Sequence, residues 1–198
     1  MIYYTNNFKE IFLINYKCCF SSFDELYKNN KINKYTKKNN NELIKKIKEH
    51  TKIYFIIREP LNRLKSFYND KFKYCFDGTY VNCDEQYCQK NMYKYFNKNK
   101  IKNLNFSFND MVSCIKNGYK DGHIKLQCEL LNNLIRKENC EIIKLEDNNF
   151  NNKIKSILGF ELPRNNITKN KFDYSLTEEN LKFIREFYKN DYILYNSH

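Results

Sequence analysis

Residues 52–72, KIYFIIREPLNRLKSFYNDKF, constrain the fold more than any other stretch of this chain. Lys52 to Ile57 are largely β-branched or aromatic, which suits a strand packed inside a sheet. Arg58 falls where that strand should stop. Pro60 suits the first position of a helix, where a missing N–H costs nothing. Leu61, Leu64, Phe67, Tyr68 and Phe72 then recur at helical spacing and form a face to be buried. Arg63, Ser66 and Asp70 fall on another face. Open α/β sheets bind ligands at the carboxyl ends of their strands. An arginine fixed at a strand tip and a hydroxyl on the following helix can therefore converge on one anion, and residues 58–66 form a candidate phosphate site.

The remaining segments extend the same alternation. Residues 8–16 predict a first strand. The polar turn KCCFSS (17–22) follows, with Ser22 placed to cap a helix through Phe23, Leu26 and Tyr27. Residues 28–41 read as a polar loop, 42–50 as a short basic helix and 74–90 as an excursion with Asp77-Gly78 as its clearest turn. Helices are expected near 91–97, 107–117 (Ser107 as cap) and 123–137. CEIIKLE (140–146) predicts a third apolar strand, and 150–158 a helix ended by Gly159. After a polar loop at 160–174, Ser175 with Glu178 forms a capping-box pattern. It opens a final helix whose inner face carries Leu181, Ile184, Tyr188 and Tyr192. Strands separated by helices imply a central parallel sheet in a three-layer α/β fold. No repeat or linker interrupts the chain, so residues 1–198 are expected to form one domain.

With 198 residues and 41% hydrophobic content, the chain can bury a core without staples. Only 4 Gly and 2 Pro are present, so its turns must draw on Asn and Asp. A net charge of +12 favours polyanionic partners (nucleotides, nucleic acid, acidic lipid or anionic glycan), unless the lysines are simply a solvated surface. The eight cysteines include no CxxC pair, so no structural zinc site is expected. Cys75, Cys83 and Cys88 share one loop-like segment and can pair only in an oxidising compartment; buried free thiols are the default. No apolar run reaches the 18 residues of a membrane span, and MIYYTNNFKE lacks the features of a signal peptide. A soluble, cytoplasmic protein is expected on these grounds.

A second anion site lies in the first turn. Lys17, Ser21 and Ser22 follow a strand and precede a helix, whose exposed N–H groups attract phosphate or sulfate. The glycines of GxxxxGK[ST] are missing. Together, Tyr16-Lys17-Cys18-Cys19-Phe20-Ser21-Ser22 and Arg58-Glu59-Pro60-Leu61-Asn62-Arg63-Leu64-Lys65-Ser66-Phe67-Tyr68-Asn69-Asp70-Lys71-Phe72 resemble the two signature segments of sulfotransferases that use 3′-phosphoadenosine 5′-phosphosulfate (PAPS), and among these the Golgi carbohydrate group. Tyr16 stands where the family has proline, and Glu59 where it has Asp. Three further segments are similar in the right order. Asp121-Gly122-His123-Ile124-Lys125-Leu126-Gln127 has Ile124 and Leu126 in place of Trp and Pro. Ile142 to Asp147 looks like a strand ending in R-L-E-D. Leu176 to Tyr195 looks like the closing helix.

The resemblance implies a P-loop-like sulfotransferase fold. It implies transfer of a sulfuryl group from PAPS to a hydroxyl of a carbohydrate acceptor, releasing 3′-phosphoadenosine 5′-phosphate (PAP). Residues 17–22 would grip the 5′-phosphosulfate through Lys17, Cys18, Cys19, Phe20, Ser21 and Ser22. Arg58 and Ser66 would bind the 3′-phosphate. Lys17 would stabilise the bridging oxygen. His123 would be the base, since an imidazole of ordinary pKa about 6.5 can take the acceptor proton; Glu25, Asp70 and Glu129 are the carboxylate alternatives. Arg63 is expected in a structural ion pair. No metal is expected, because lysine and backbone donors can neutralise the transferred anion. The family would place the chain in the Golgi, against the cytoplasmic reading of its amino terminus. Competing classes are a catalytically inactive domain of the same family, a nucleotide kinase, disfavoured by the missing glycines, and a basic nucleic-acid-binding module, suggested by charge alone.

Overall fold

A computed structural model describes residues 1–35, 51–72, 94–95, 98–99, 106–132, 140–163 and 173–198. It is a mixed α/β structure built around a five-stranded sheet. The chain divides into two compact units. The first comprises Met1–Glu59, Leu126–Ile167 and Ile193–His198, and the second Pro60–Lys125 and Thr168–Tyr192.

The first unit holds the sheet. Its strands are β1 (Ile2–Tyr4), β2 (Glu10–Ile14), β3 (Asn33–Lys34), β4 (Lys52–Ile57) and β5 (Cys140–Lys144), in the order β3-β1-β2-β4-β5. β2, β4 and β5 run parallel, as the strand–helix alternation predicts, while β1 pairs antiparallel with both β2 and β3. The expected parallel sheet is therefore extended on one side by an antiparallel pair. The first strand begins at Glu10 rather than residue 8, because the chain turns there: Thr5 N–H donates to Glu10 O and Phe8 is left-handed (φ 56°).

Register sorts the apolar residues onto two faces with the two-residue period of a strand. Ile11, Leu13, Ile53, Phe55 and Ile57 share one face with Leu130, Leu194 and Tyr195. Phe12, Ile14, Tyr54, Ile56 and Ile143 share the other with Phe23, Leu26, Phe150 and Ile154. The latter four come from helices α1 (Phe20–Lys28) and α5 (Phe150–Leu158), so apolar side chains from outside the sheet cover both of its faces. Between these two helices in the chain lie α2 (Pro60–Phe67), α3 (Phe108–Lys116) and α4 (Cys128–Asn132). Each fully buried large side chain contributes about 1.5–3 kcal/mol. Exposed pairs such as Lys155–Glu161 contribute about 0–1 kcal/mol, so the apolar layers fix this unit.

Three expected boundaries move. Helix α1 starts at Phe20, with left-handed Cys19 as its N-cap, so Ser22 is a buried first-turn residue and not the cap; Tyr27 is exposed. In the region expected as helix 123–137, residues 122–125 form a turn and the described helix is α4 alone. The closing helix opens on Thr177, whose hydroxyl accepts from Asn180 N–H, while Ser175 turns to Asp173. It divides at Tyr188 into α6 (Glu178–Phe187) and α7 (Lys189–Asn196), with Ile184 and Tyr188 buried and Leu181 and Tyr192 only partly so. Two expectations hold as written: Ser107 caps α3 in a reciprocal box with Asp110, and left-handed Gly159 ends α5. The segments expected at 42–50 and 74–90, most of 91–97, and Cys75, Cys83 and Cys88 lie outside the described residues.

In the second unit, Pro60 opens α2 and buries Arg63, Leu64 and Phe67. A π-helical turn follows at Tyr68–Phe72. α3 and α6 are joined by buried Asn180, whose Nδ2 donates to Asn109 O (3.1 Å), Asn109 Oδ1 (2.9 Å) and Ser113 Oγ (2.9 Å). Tyr188, 1% exposed, donates its hydroxyl to Ile124 O at 2.9 Å. Burial pushes its pKa up to about 12. An unfolded tyrosine ionises near 10. Between those values the unfolded state loses the proton first, so stability falls as pH rises. Two pH units correspond to about 3 kcal/mol. Tyr188→Phe is expected to flatten the urea-denaturation profile between pH 10 and 12 while leaving a neutral-pH loss of about 1 kcal/mol from the hydrogen bond. An unchanged alkaline slope would show that this hydroxyl does not titrate with folding.

Candidate functional site

The loop from Asn15 to Cys19 joins β2 to α1 at the carboxyl end of β2. Cys18 N–H donates to Asn15 O at 3.2 Å. Lys17 (φ 67°) and Cys19 (φ 52°) are both left-handed, with Cys18 between them on the ordinary side. For a residue with a side chain this conformation costs about 1–2 kcal/mol, and glycine is its usual occupant. Turns of this kind aim successive backbone N–H groups into one concavity that binds anions. The nine-residue α1 begins at once, and no side chain caps its start. The positive end of the helix is therefore added to the loop. The sequence lacks the glycines of a phosphate loop; the loop takes the left-handed geometry without them.

Arg58 leaves β4 beside this loop. Its Nη1 donates to Lys17 O at 3.1 Å. Its backbone is clamped by the carboxamide of Gln127: Arg58 N–H donates to Oε1 (2.9 Å) and Arg58 O accepts from Nε2 (2.7 Å). The same Oε1 accepts from the Cys18 thiol at 3.2 Å, and Gln127 O accepts from Asn15 Nδ2 at 3.4 Å. Gln127, 1% exposed, thus ties the loop after β2 to the tip of β4. Glu146, just past β5, accepts from Glu59 N–H at 3.2 Å and from the Tyr195 hydroxyl at 3.3 Å. Its Oε1 lies 3.5 Å from Arg58 Nε, near enough for charge attraction but misaligned for a hydrogen bond. Arg58 Nε is accordingly a buried donor without a hydrogen-bond partner. Burial, reinforced by Cys18, pushes the Cys19 thiol well above its usual pKa, and Arg58 only partly offsets this. The thiol stays neutral at neutral pH, and the loop keeps a positive balance.

Of the expected site residues, Lys17, Cys18, Cys19, Phe20, Ser21, Ser22 and Arg58 belong to the first unit, with Ser21 exposed and Ser22 buried. Ser66 and His123 belong to the second. Ser66 is half-buried on α2, and the imidazole of His123 stacks on the neighbouring Phe67 ring (centroids 5.2 Å, 10°). His123 N–H donates to Asp121 Oδ1 at 2.8 Å, and its Nδ1 lies 2.5 Å from the same oxygen. Asp121 also accepts from the Tyr119 hydroxyl at 3.3 Å. Burial pushes the Asp121 carboxyl up, but the hydrogen bonds from His123 and Tyr119 outweigh it and hold the group below its ordinary range. Arg63 makes its contacts within the second unit, in a buried ion pair. It is 1% exposed, lies 4.0 Å from Asp191 Oδ2, donates to Lys125 O and sits over the Tyr188 ring. Of the alternative bases, Glu25 is half-buried on α1, and Asp70 and Glu129 are exposed.

Sequence reasoning gave no site role to Gln127, Glu146 or Asp121. All three lie within segments quoted above for their resemblance. Asp121 carries its own local signal, an Asp two residues before a His. Gln127 and Glu146 show their roles only once distant strands are paired. Among the described residues no helix is long and apolar enough to cross a membrane, and no group of three or more His, Cys, Asp or Glu is placed to hold a metal ion. Compared with protein-family models, curated proteins and solved structures, the chain matches none.

Proposed function

We propose that this protein is a PAPS-dependent sulfotransferase with a P-loop-like sulfotransferase fold, acting on a hydroxyl of a carbohydrate acceptor. The observation that carries this reading is the left-handed loop Lys17–Cys19 opening an uncapped helix, with Arg58 tethered beside it and one guanidinium N–H left without an acceptor. These residues fit a phosphorylated donor: backbone N–H groups and a lysine for the phosphosulfate, an arginine for a second phosphate. The donor would supply a sulfuryl group on a phosphate leaving group. Lys17 places a positive charge where negative charge gathers on that leaving group, and Ser21 and Ser22 add hydroxyl donors at the helix start. Arg58 pays a desolvation cost in its present partnership that an anion on Nε would relieve. The roles of Ser66 and His123 follow the motif they match.

The test is thermal stability with PAP against AMP and ATP, on wild type and Arg58→Ala. At about 100 times its Kd, PAP should add about 2.7 kcal/mol of stability. That shift is expected with PAP and not with AMP or ATP, and it should vanish in Arg58→Ala. Equal shifts with ATP, or none with any nucleotide, would sink the reading.

A further inference from the structure

Arg58 is satisfied on one side of its guanidinium and not on the other. Nη1 donates to Lys17 O, whereas Nε is buried with no hydrogen-bond partner and carries its full desolvation cost. The group beside Nε is the Glu146 carboxylate, 3.5 Å away. The sheet puts it there. Leu145 N–H donates to Ile57 O at 2.8 Å, which continues the parallel pairing of β4 and β5 and sets Glu146 against Arg58 and Glu59. Glu146 also has donors of its own. Glu59 N–H lies 3.3 Å from Oε1 and 3.2 Å from Oε2, and the Tyr195 hydroxyl donates to Oε2 at 3.3 Å. Lys144 Nζ lies over the Tyr195 ring, 4.6 Å from its centroid. A carboxylate with these donors is not stranded when Arg58 turns away. The Arg58 and Glu146 side chains are 26% and 29% exposed, and a pair so wet holds weakly. All of these groups belong to the first unit.

We propose that Glu146 is a displaceable counter-ion of Arg58: it covers Nε in the ligand-free protein and yields that donor to an incoming phosphate group. The proposal rests on Arg58 as an anion ligand, which is part of the sulfotransferase reading, but not on sulfuryl transfer. A phosphate oxygen gives Nε an aligned acceptor and a charge-assisted hydrogen bond, which Glu146 at its present angle does not. The exchange has a cost, because the carboxylate and the phosphate repel each other across one guanidinium. Glu146 therefore opposes binding while it keeps Arg58 in place for it. Glu146→Gln keeps the volume and an acceptor for Glu59 N–H and the Tyr195 hydroxyl, and removes only the charge.

The experiment titrates inorganic pyrophosphate into the protein by calorimetry and follows the Arg58 Nε–H by 15N NMR, with the signal assigned through Arg58→Lys. At saturation that proton is expected to move downfield as it gains an acceptor. Folded Glu146→Gln should bind pyrophosphate about 10-fold more tightly than wild type at low salt, and the gain should shrink as salt screens the charges. An Nε–H signal unmoved at saturation, or an affinity in Glu146→Gln within about twofold of wild type or weaker, would overturn the proposal. Binding by neither protein would overturn it together with the anion-site reading. The expected gain with pyrophosphate, but no preference for PAP over ATP, would instead sink the sulfotransferase reading and leave the role of Glu146 standing.

Discussion

Arg63→Ala is expected to lose about 3–5 kcal/mol of stability in urea denaturation, the largest effect of any single substitution considered for the second unit. Arg63 is the largest fully buried side chain in the described residues. Removing it takes a cation from beside Asp191, also 1% exposed, and the donor from Lys125 O. The cost of a buried carboxylate with less compensation, more than the lost attraction, sets the size of the effect. The paired replacement Arg63→Met with Asp191→Leu should therefore recover a large part of the loss, because two apolar groups of similar volume leave no charge behind. A double-mutant cycle in which the two single losses simply add would show that the pair, at 4.0 Å, is not energetically coupled.

On the proposed sulfotransferase reading, Lys17→Ala is expected to lower kcat by about 10²–10³-fold while PAP still stabilises the protein. The asymmetry follows from where the charge acts. On that reading, backbone N–H groups of the loop and of α1, together with Arg58, would hold a bound anion in ground and transition state alike. Lys17 carries the loop's own positive side chain, and on that reading its charge would count most when the leaving oxygen becomes negative. Lys17→Arg should recover little, since a planar, delocalised fork does not place its charge at one point. If Lys17→Ala instead weakened PAP binding and left kcat untouched, the lysine would be an anchor for the nucleotide with no part in the chemistry.

Legibility in the sequence followed the range of the signal. The β4–α2 unit was readable because five apolar residues, an arginine and a proline stand in order within a stretch of 21 residues. Ser107 and Gly159 were readable because capping and left-handed termination are local. β1 and β3 were not: three and two residues are too short to show a period, and their pairing depends on β2. The start of α1 was misplaced for a different reason. Hydroxyl residues advertise caps, but this helix opens on the backbone of Cys19, and nothing about a cysteine announces a left-handed turn. In the site, Lys17 and Arg58 were visible as charges next to elements. Gln127, 69 residues from the backbone it clamps, had no local signature at all.

The left-handed cradle at Lys17 and Cys19 also bears on when the work of shaping the site is done. Most anion loops reach this geometry with glycines, which remain supple until a ligand settles them. Here the strain is taken on as the chain folds and is held by the core beneath the loop and by Gln127. An anion would then meet a rigid mould, so its association should carry little ordering entropy and a small change in loop protection against hydrogen exchange. Replacing Cys19 with glycine would soften the mould without removing a single donor, and the binding entropy would record the difference.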